Sequence, residues 1–324
     1  MPKLDLTKIF GSKLVVSELD LSTCTIPENI PVKNPSYVFN TATLNPVLLF
    51  LAHPFNDCLY INGESGCGKT SLILQIAARL GWGVEQITLS NKCESTDLIG
   101  HSTLKKGELV YEYGALTRAM QNGEILLLNE IDLMSPGDLS ILNDVLEGKP
   151  LTILENNGEV IKPHQNFRVI ATANTNGMGD DTGFYSGART MNQAFMDRFR
   201  YMNMSYQPKI EACALISAFP KLEKDTVIKL VQFAKSVRDT INAGVESGVR
   251  QISAPFSTRT LLKIAGVVSL NTTYSIQDIV EMCFSLRLPA PEREFIKRTV
   301  NDIFGHSEQE LKETQKDDNN QKLA

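Results

Sequence analysis

The chain has no C-x-x-C pair; its six cysteines, Cys24, Cys58, Cys67, Cys93, Cys213 and Cys283, stand far apart. That spacing excludes a disulfide framework and a cysteine zinc site, and it points to a reducing compartment. No apolar run approaches the roughly 18 residues of a membrane helix, and no N-terminal signal pattern is present, so no membrane is involved and the cytoplasm is the expected location. Nor is there a basic excess. A formal net charge of −5 leaves no surplus cation for a phosphate backbone and argues against a dedicated nucleic-acid binder. The remaining composition is ordinary for a globular protein: 324 residues, 42% hydrophobic and 21% charged, enough for one large domain or two.

Against this background one stretch organises the chain. A short β-rich run, Cys58–Asn62, meets Gly63-Glu64-Ser65-Gly66-Cys67-Gly68-Lys69-Thr70, and an apolar-periodic helix follows through Leu80. The octet fits the phosphate-loop pattern G-x-x-x-x-G-K-[ST] in its strand–loop–helix context. Its glycines let the backbone wrap a phosphate, so that N–H groups and a helix N-terminus face the negative charge. Lys69 would reach the β- and γ-phosphates, and the Thr70 hydroxyl would ligate Mg2+. The binding set therefore runs from Gly63 through Thr70, with Ser71 next. Cys67 inside this loop is either a tolerated small side chain or a point where oxidation would block the nucleotide.

Triphosphate hydrolysis also needs a group near the metal and a base for water. Leu128-Asn129-Glu130-Ile131-Asp132 ends the strongest apolar run, Ile125–Leu128, which reads as a central, doubly covered parallel strand. Glu130 is the candidate for polarising the attacking water. Asn129 can hydrogen-bond Mg2+-bound water through its amide oxygen but carries no charge. Asn174, at the end of the next strand, would stand beside Glu130; taken alone it would also pass for a loop-starting residue. Arg198 and Arg259 are candidates for the charge that spreads over the γ-oxygens, although each alone fits an ordinary surface position.

Along the chain, residues 1–35 contain Pro27, Pro31 and Pro35 and read as an arm with little regular structure. A helix begins near Thr41. Strands follow at Val84–Leu89, Phe167–Ala173 and Tyr201–Tyr206, and Gly114–Asn122 and Asn192–Arg198 read as helices. Lys106-Gly107 and Asn156-Asn157-Gly158 mark hairpins. Ser135-Pro136-Gly137-Asp138 has the form of a capping box opening a helix with Leu139, Leu142, Val145 and Leu146 on one face. Residues 36–206 thus read as an α/β domain with the phosphate loop at its carboxyl edge. Residues 207–305 carry only helices, among them Ser257–Leu270, Ile276–Leu286 with a Ser275/Asp278 cap, and Glu292–Phe304. Residues 306–324 are polar, without apolar periodicity, and read as a disordered tail.

With its five chemical positions in order, the chain resembles the AAA+ ATPases, within them the MoxR group, and most closely the CobS-type ATPase subunit of aerobic cobaltochelatase. GESGCGKT, ILLLNEID, TANTNGMGDDTGFYSGARTMNQAFMDRF (172–199) and STDLIGHSTLKKGELVYEYGAL (95–116) carry the likeness. The resemblance implies a phosphate-loop αβα sandwich with a five-stranded parallel sheet in the order 5-1-4-3-2, followed by a small all-α lid. It implies a homo-oligomeric ring, a hexamer, with ATP and Mg2+ at the interface between copies. Asn174 would be sensor 1, Arg259 sensor 2, and Arg198 the finger reaching a neighbour's γ-phosphate, in preference to Arg189 or Arg200. Hairpin insertions at about 101–113 and 150–166 would face the ring's pore or a partner, and a von Willebrand A-domain protein of CobT type would be that partner. The family has Asp where this chain has Asn129, which puts the hydrolysis rate in question.

Two functions of different class follow. One is an ATP-hydrolysing motor acting on a partner protein or chelatase complex. The other is a nucleotide-gated assembly scaffold with weak or no hydrolysis. Nucleic-acid remodelling, known among ring ATPases, is a third reading.

Overall fold

A computed structural model describes residues 3–11, 13–21, 29–180, 182–185, 187–248 and 251–321, with side chains through 305. Its main sheet has five strands, all parallel: β1 Cys58–Gly63, β2 Val84–Thr88, β3 Ile125–Asn129, β4 Arg168–Ala173 and β5 Phe199–Met204. The order is β5-β1-β4-β3-β2, as the resemblance implied. Ile125–Leu128 is fully buried, because β3 lies between β4 and β2 and has both faces covered. β5 begins at Phe199 rather than Tyr201. Its first residue pairs with Cys58, and the Phe199 and Tyr201 rings flank buried Tyr60 at 5.7 and 5.6 Å. The helix Lys69–Leu80 buries Leu72, Ile73, Ile76, Ala77 and Leu80, and a left-handed Gly81 ends it.

Both hairpins form. Gly100–Lys105 pairs with Glu108–Tyr113, and Leu151–Ile153 with Glu159–Ile161 around left-handed Asn157 and Gly158. The Tyr113 hydroxyl donates to both Glu159 carboxylate oxygens at 2.9 and 2.8 Å and so ties one hairpin to the other. The capping box at Ser135 does not form, since the Ser135 side chain makes no cap hydrogen bond. The single helix expected there is two, Pro136–Leu139 and Leu142–Leu146. At the break the Ser140 hydroxyl turns back to the Gly137 carbonyl, a local bond that competes with helix continuation. Leu139, Leu142, Val145 and Leu146 are nonetheless all in the core. The helix before β5 is also shorter, Gln193–Met196, with Asn192 as its cap.

The described part of the first 35 residues holds more regular structure than the sequence suggests. Lys3–Asp5 and Glu18–Asp20 pair antiparallel around a short helix, Leu6–Phe10, which the Asp5 carboxylate caps. Residues 29–34 carry no regular element and are pinned where the Asn34 amide donates to Gln75 and Gln75 donates to the Val32 carbonyl. Pro27 lies outside the described residues.

A second compact unit groups the chain from Tyr206 onward with Ser36–Val38 and with the loop tip Ser65–Cys67. It is helical: Pro208–Ala218, Lys224–Ser247, Thr258–Val268, Ile276–Cys283 and Ala290–Gln321. The Ser275/Asp278 capping box forms as read. The last helix does not stop at Phe304. Its backbone stays helical through 321, where the sequence suggested a disordered tail, because Glu, Lys and Gln are good helix formers even without an apolar face. Residues 322–324 lie outside the described ones.

At the centre of this unit is a buried ion pair. Arg238 meets Glu211 through two bonds of 2.7 and 2.8 Å, donates to the Phe256 carbonyl at 2.8 Å, and lies 3.8 Å over the Tyr206 ring. The pair is satisfied on every side, and removing one member strands the other charge. Arg238→Met is expected to lower the free energy of unfolding by about 3–5 kcal/mol in urea titration; a loss below about 1 kcal/mol would show the pair to be dispensable.

Candidate functional site

The carboxyl ends of β1, β3 and β4 lie side by side, and the site is built on them. β1 leaves the sheet at Gly63, where an added Cβ would stand 2.0 Å from the Met204 carbonyl oxygen of paired β5. Only glycine fits there. Gly68, left-handed at φ 103, turns the loop into the helix Lys69–Leu80 and offers no side-chain cap to the first helical N–H groups, the kind of helix end that suits an anion. Glu64, Ser65, Gly66 and Cys67 are half-buried along the loop, and Ser71 is exposed on the first helical turn.

Lys69 is buried, and its ammonium donates to the carbonyls of Gly63 at 2.6 Å and Glu64 at 3.2 Å and to Asn174 Oδ1 at 2.9 Å. Asn174 turns its amide nitrogen the other way, to Glu130 Oε2 at 2.5 Å. A continuous chain Lys69–Asn174–Glu130 therefore crosses the edge of the sheet. Glu130 itself stands in the left-handed region at φ 55, a strained conformation for its residue type that swings its carboxylate off the line of β3.

The Thr70 hydroxyl donates to Asn129 Oδ1 at 2.6 Å, and the buried Thr172 hydroxyl donates to the same oxygen at 3.1 Å. With its proton committed, Thr70 keeps its lone pairs for a hard cation, which fits Mg2+. Asn129 fits less well. Its oxygen is held by two hydroxyls, and its buried Nδ2 finds no hydrogen-bond partner among the described residues. No cluster of three or more His, Cys, Asp or Glu among the described residues could hold a metal alone. A magnesium ion here would rely on Thr70, on phosphate oxygens and on water.

Two residues that the sequence reading left without a role join the site. Thr172 completes the grip on Asn129. Asp132 is 1% exposed, and its Oδ2 accepts from the backbone of Asn174 at 3.2 Å and of Thr175 at 3.1 Å, and from the Thr175 hydroxyl at 2.9 Å. Burial first, then the Asp132 charge, push the Tyr60 hydroxyl above its ordinary range, and it donates to the Thr175 carbonyl at 3.2 Å. The sequence signal for Asp132 was a second acid beside Glu130, with nothing to say what it touches.

The arginines make other contacts. Arg198 is engaged by Glu147, with Nε 3.0 Å and Nη2 2.5 Å from one carboxylate oxygen. Glu147 also pairs with Lys149 at 2.7 Å, and Lys149 first and then Arg198 hold its carboxyl below the usual range. Arg200 pairs with Asp57 and lies over the Phe50 and Phe55 rings, a structural post. Arg189 joins through its backbone, donating to the Asp132 carbonyl at 2.8 Å. Arg259 is exposed in the first turn of Thr258–Val268, in the second unit.

Comparison with known proteins matches residues 59–199 to the AAA domain of the dynein-related subfamily. The chain is 34% identical over 219 residues to the aerobic cobaltochelatase subunit CobS of a Sinorhizobium species, a stretch covering 64% of this chain and 65% of that protein. It is 27% identical over 204 residues to protein NorQ of Paracoccus denitrificans (strain Pd 1222), covering 63% of this chain and 73% of NorQ. Over 297 residues it is 24% identical to the von Willebrand factor A domain-containing protein 8 of Mus musculus, which covers 83% of this chain but 15% of that protein. The chain thus spans just under two thirds of CobS and a small part of the mouse protein.

Replacing Asn129 by Asp would put a charge beside Thr70 and remove the unpaired amide nitrogen. Asn129→Asp is expected to lower the Mg2+ concentration needed for half-maximal nucleotide binding by roughly tenfold, about 1.4 kcal/mol. An unchanged Mg2+ titration would mean that the position does not face the metal.

Proposed function

We propose that the protein, whose residues 59–199 match an AAA domain, is an ATP-hydrolysing AAA+ ring motor of the CobS and MoxR type, coupling ATP binding and hydrolysis to the remodelling or activation of a partner protein or metal-chelatase complex. The chain Lys69–Asn174–Glu130, beside Thr70 on Asn129, carries this reading. Each group in it has a task in phosphoryl transfer. Lys69 exchanges its carbonyl contacts for the more strongly charged β- and γ-phosphate oxygens. Glu130 takes the proton of the water that attacks the γ-phosphorus, while the bond to the bridging oxygen breaks and ADP leaves with the electron pair. Asn174 holds Glu130 in place and contacts Lys69, so it stands where the γ-phosphate and the base are sensed together. Mg2+, held through Thr70, supplies charge neutralisation on the phosphate oxygens.

Arg198 serves a neighbouring copy in a hexameric ring, and Arg259 closes over the phosphates from the helical lid. The Gly100–Tyr113 hairpin exposes a paired Leu104 and Leu109, 72% and 74% exposed, beside its turn, suited to a partner in the ring's pore. A von Willebrand A-domain protein of CobT type is the proposed partner; the mouse relative is itself a von Willebrand factor A domain-containing protein. No helix among the described residues is long and apolar enough to cross a membrane. The neutral Asn129 favours one second reading, a scaffold that assembles on ATP and hydrolyses little.

Glu130→Gln is expected to keep ATP affinity while steady-state phosphate release drops by about 10²-fold, the scale of a lost general base. Parental turnover in that variant would remove Glu130 from the mechanism, and no release by the parent itself would favour the scaffold. Arg198→Ala is expected to lower turnover by about 10³-fold, as loss of an arginine finger does. Mixing it with Glu130→Gln protein should restore part of the rate, because interfaces then form with one intact base and one intact finger. Recovery absent at every mixing ratio would place Arg198 outside the neighbour's site.

A further inference from the structure

We infer that Asp132 is a positioning residue for hydrolysis: its buried carboxylate fixes the end of β4, and so sets Asn174 between Lys69 and Glu130. The inference rests on the ATPase reading above and adds a residue to it. Asp132 follows Glu130 in the turn Ile131–Leu133, and the two carboxylates are put to different use. Glu130 is half-buried and faces one side-chain amide. Asp132 is closed off from solvent and faces main chain.

Three donors converge on a single oxygen, Oδ2: the N–H groups of Asn174 and Thr175 at 3.2 and 3.1 Å, and the Thr175 hydroxyl at 2.9 Å. Its other oxygen, Oδ1, has no hydrogen-bond partner among the described residues. A carboxylate in such a place is held by directed charge-assisted bonds, and those bonds in return fix the backbone that makes them. The backbone so fixed is the point where Asn174 leaves the strand. Because Asn174 reaches Lys69 with its oxygen and Glu130 with its nitrogen, both within 2.9 Å, a small swing at this point breaks one bond or the other. Asp132 also accepts the Arg189 amide on its main-chain carbonyl, so the return of the loop 177–190 is anchored at the same turn. Positioning shells of this kind typically change rates by roughly ten- to a hundredfold when removed.

The test is a double-mutant cycle on the full chain, read by steady-state ATP hydrolysis, with thermal unfolding as a check on folding. Asp132→Asn keeps the shape and removes the charge. It is expected to lower kcat by roughly tenfold with KM for ATP changed less than about twofold. In an Asn174→Ala background the same substitution should have no further effect on kcat, since the residue it positions is gone. A structural defect alone would lower stability in both backgrounds and multiply through the rates, and that additive outcome would overturn the inference. If Asp132→Asn does not fold, Thr175→Val removes one of the three donors while leaving the carboxylate, and the same non-additivity with Asn174→Ala is expected. If the parent releases no phosphate, the cycle is read on affinity for a non-hydrolysable ATP analogue. An Asn174→Ala variant with parental kcat and affinity would overturn both the inference and the role given to Asn174; additivity with a slow Asn174→Ala would overturn the inference alone.

Discussion

The site depends on one constraint: β4 pairs in parallel with both β1 and β3. Parallel pairing brings the exits of all three strands to the same edge, and it does so whatever their separation along the chain. The last residue of β1, Gly63, begins the phosphate loop, the residue after β3 is Glu130, and the residue after β4 is Asn174. Lys69 and Asn174 lie 105 positions apart in the chain, yet they meet at 2.9 Å because the sheet places their strands next to each other. Had β4 been an edge strand, either the lysine or the glutamate would lack its neighbour.

Around that edge, charge is used sparingly. One cation, Lys69, and two carboxylates, Glu130 and Asp132, are drawn into or near the interior, and each has directed polar contacts. Asn129 replaces what would otherwise be another anion between Thr70 and Thr172. The cost is a buried amide nitrogen with no partner among the described residues, and a buried unsatisfied donor is unfavourable by about 1–3 kcal/mol. The gain is a Thr70 held by a neutral acceptor, which leaves the positive charge at the site uncancelled for a triphosphate.

Arg198 and Arg238 show the same side chain in two settings. Arg238 is buried with Glu211, each of its three nitrogens hydrogen-bonded and its guanidinium over the Tyr206 ring, within the helical unit. Arg198 is partly exposed on Glu147, an anion it shares with Lys149. A pair of the first kind is permanent, because separating it strands a charge without water. A pair of the second kind contributes little and exchanges readily. An arginine held this way is able to leave its partner, which the role proposed for Arg198 requires.

The sequence by itself determined the elements whose signal is local: the glycines and lysine of the phosphate loop, the apolar run of β3, the Asn-Gly hairpin, and the Ser275/Asp278 cap. It also placed Glu130 and Asn174 at strand ends, which suffices once strand order is known. Tertiary structure alone decided the rest. The N-terminal segment looked irregular because its strands among the described residues, Lys3–Asp5 and Glu18–Asp20, are too short to leave a periodic pattern. The helix after Ser135 broke because the Ser140 hydroxyl found a nearer carbonyl, a choice of hydrogen bond that composition does not encode. Thr172 and Asp132 were silent because their partners, Asn129 and the Asn174–Thr175 backbone, are more than 40 residues away in the chain. A motif states which groups are present; only the parallel sheet, by packing those strand ends within bonding distance, decided which of them act on one another.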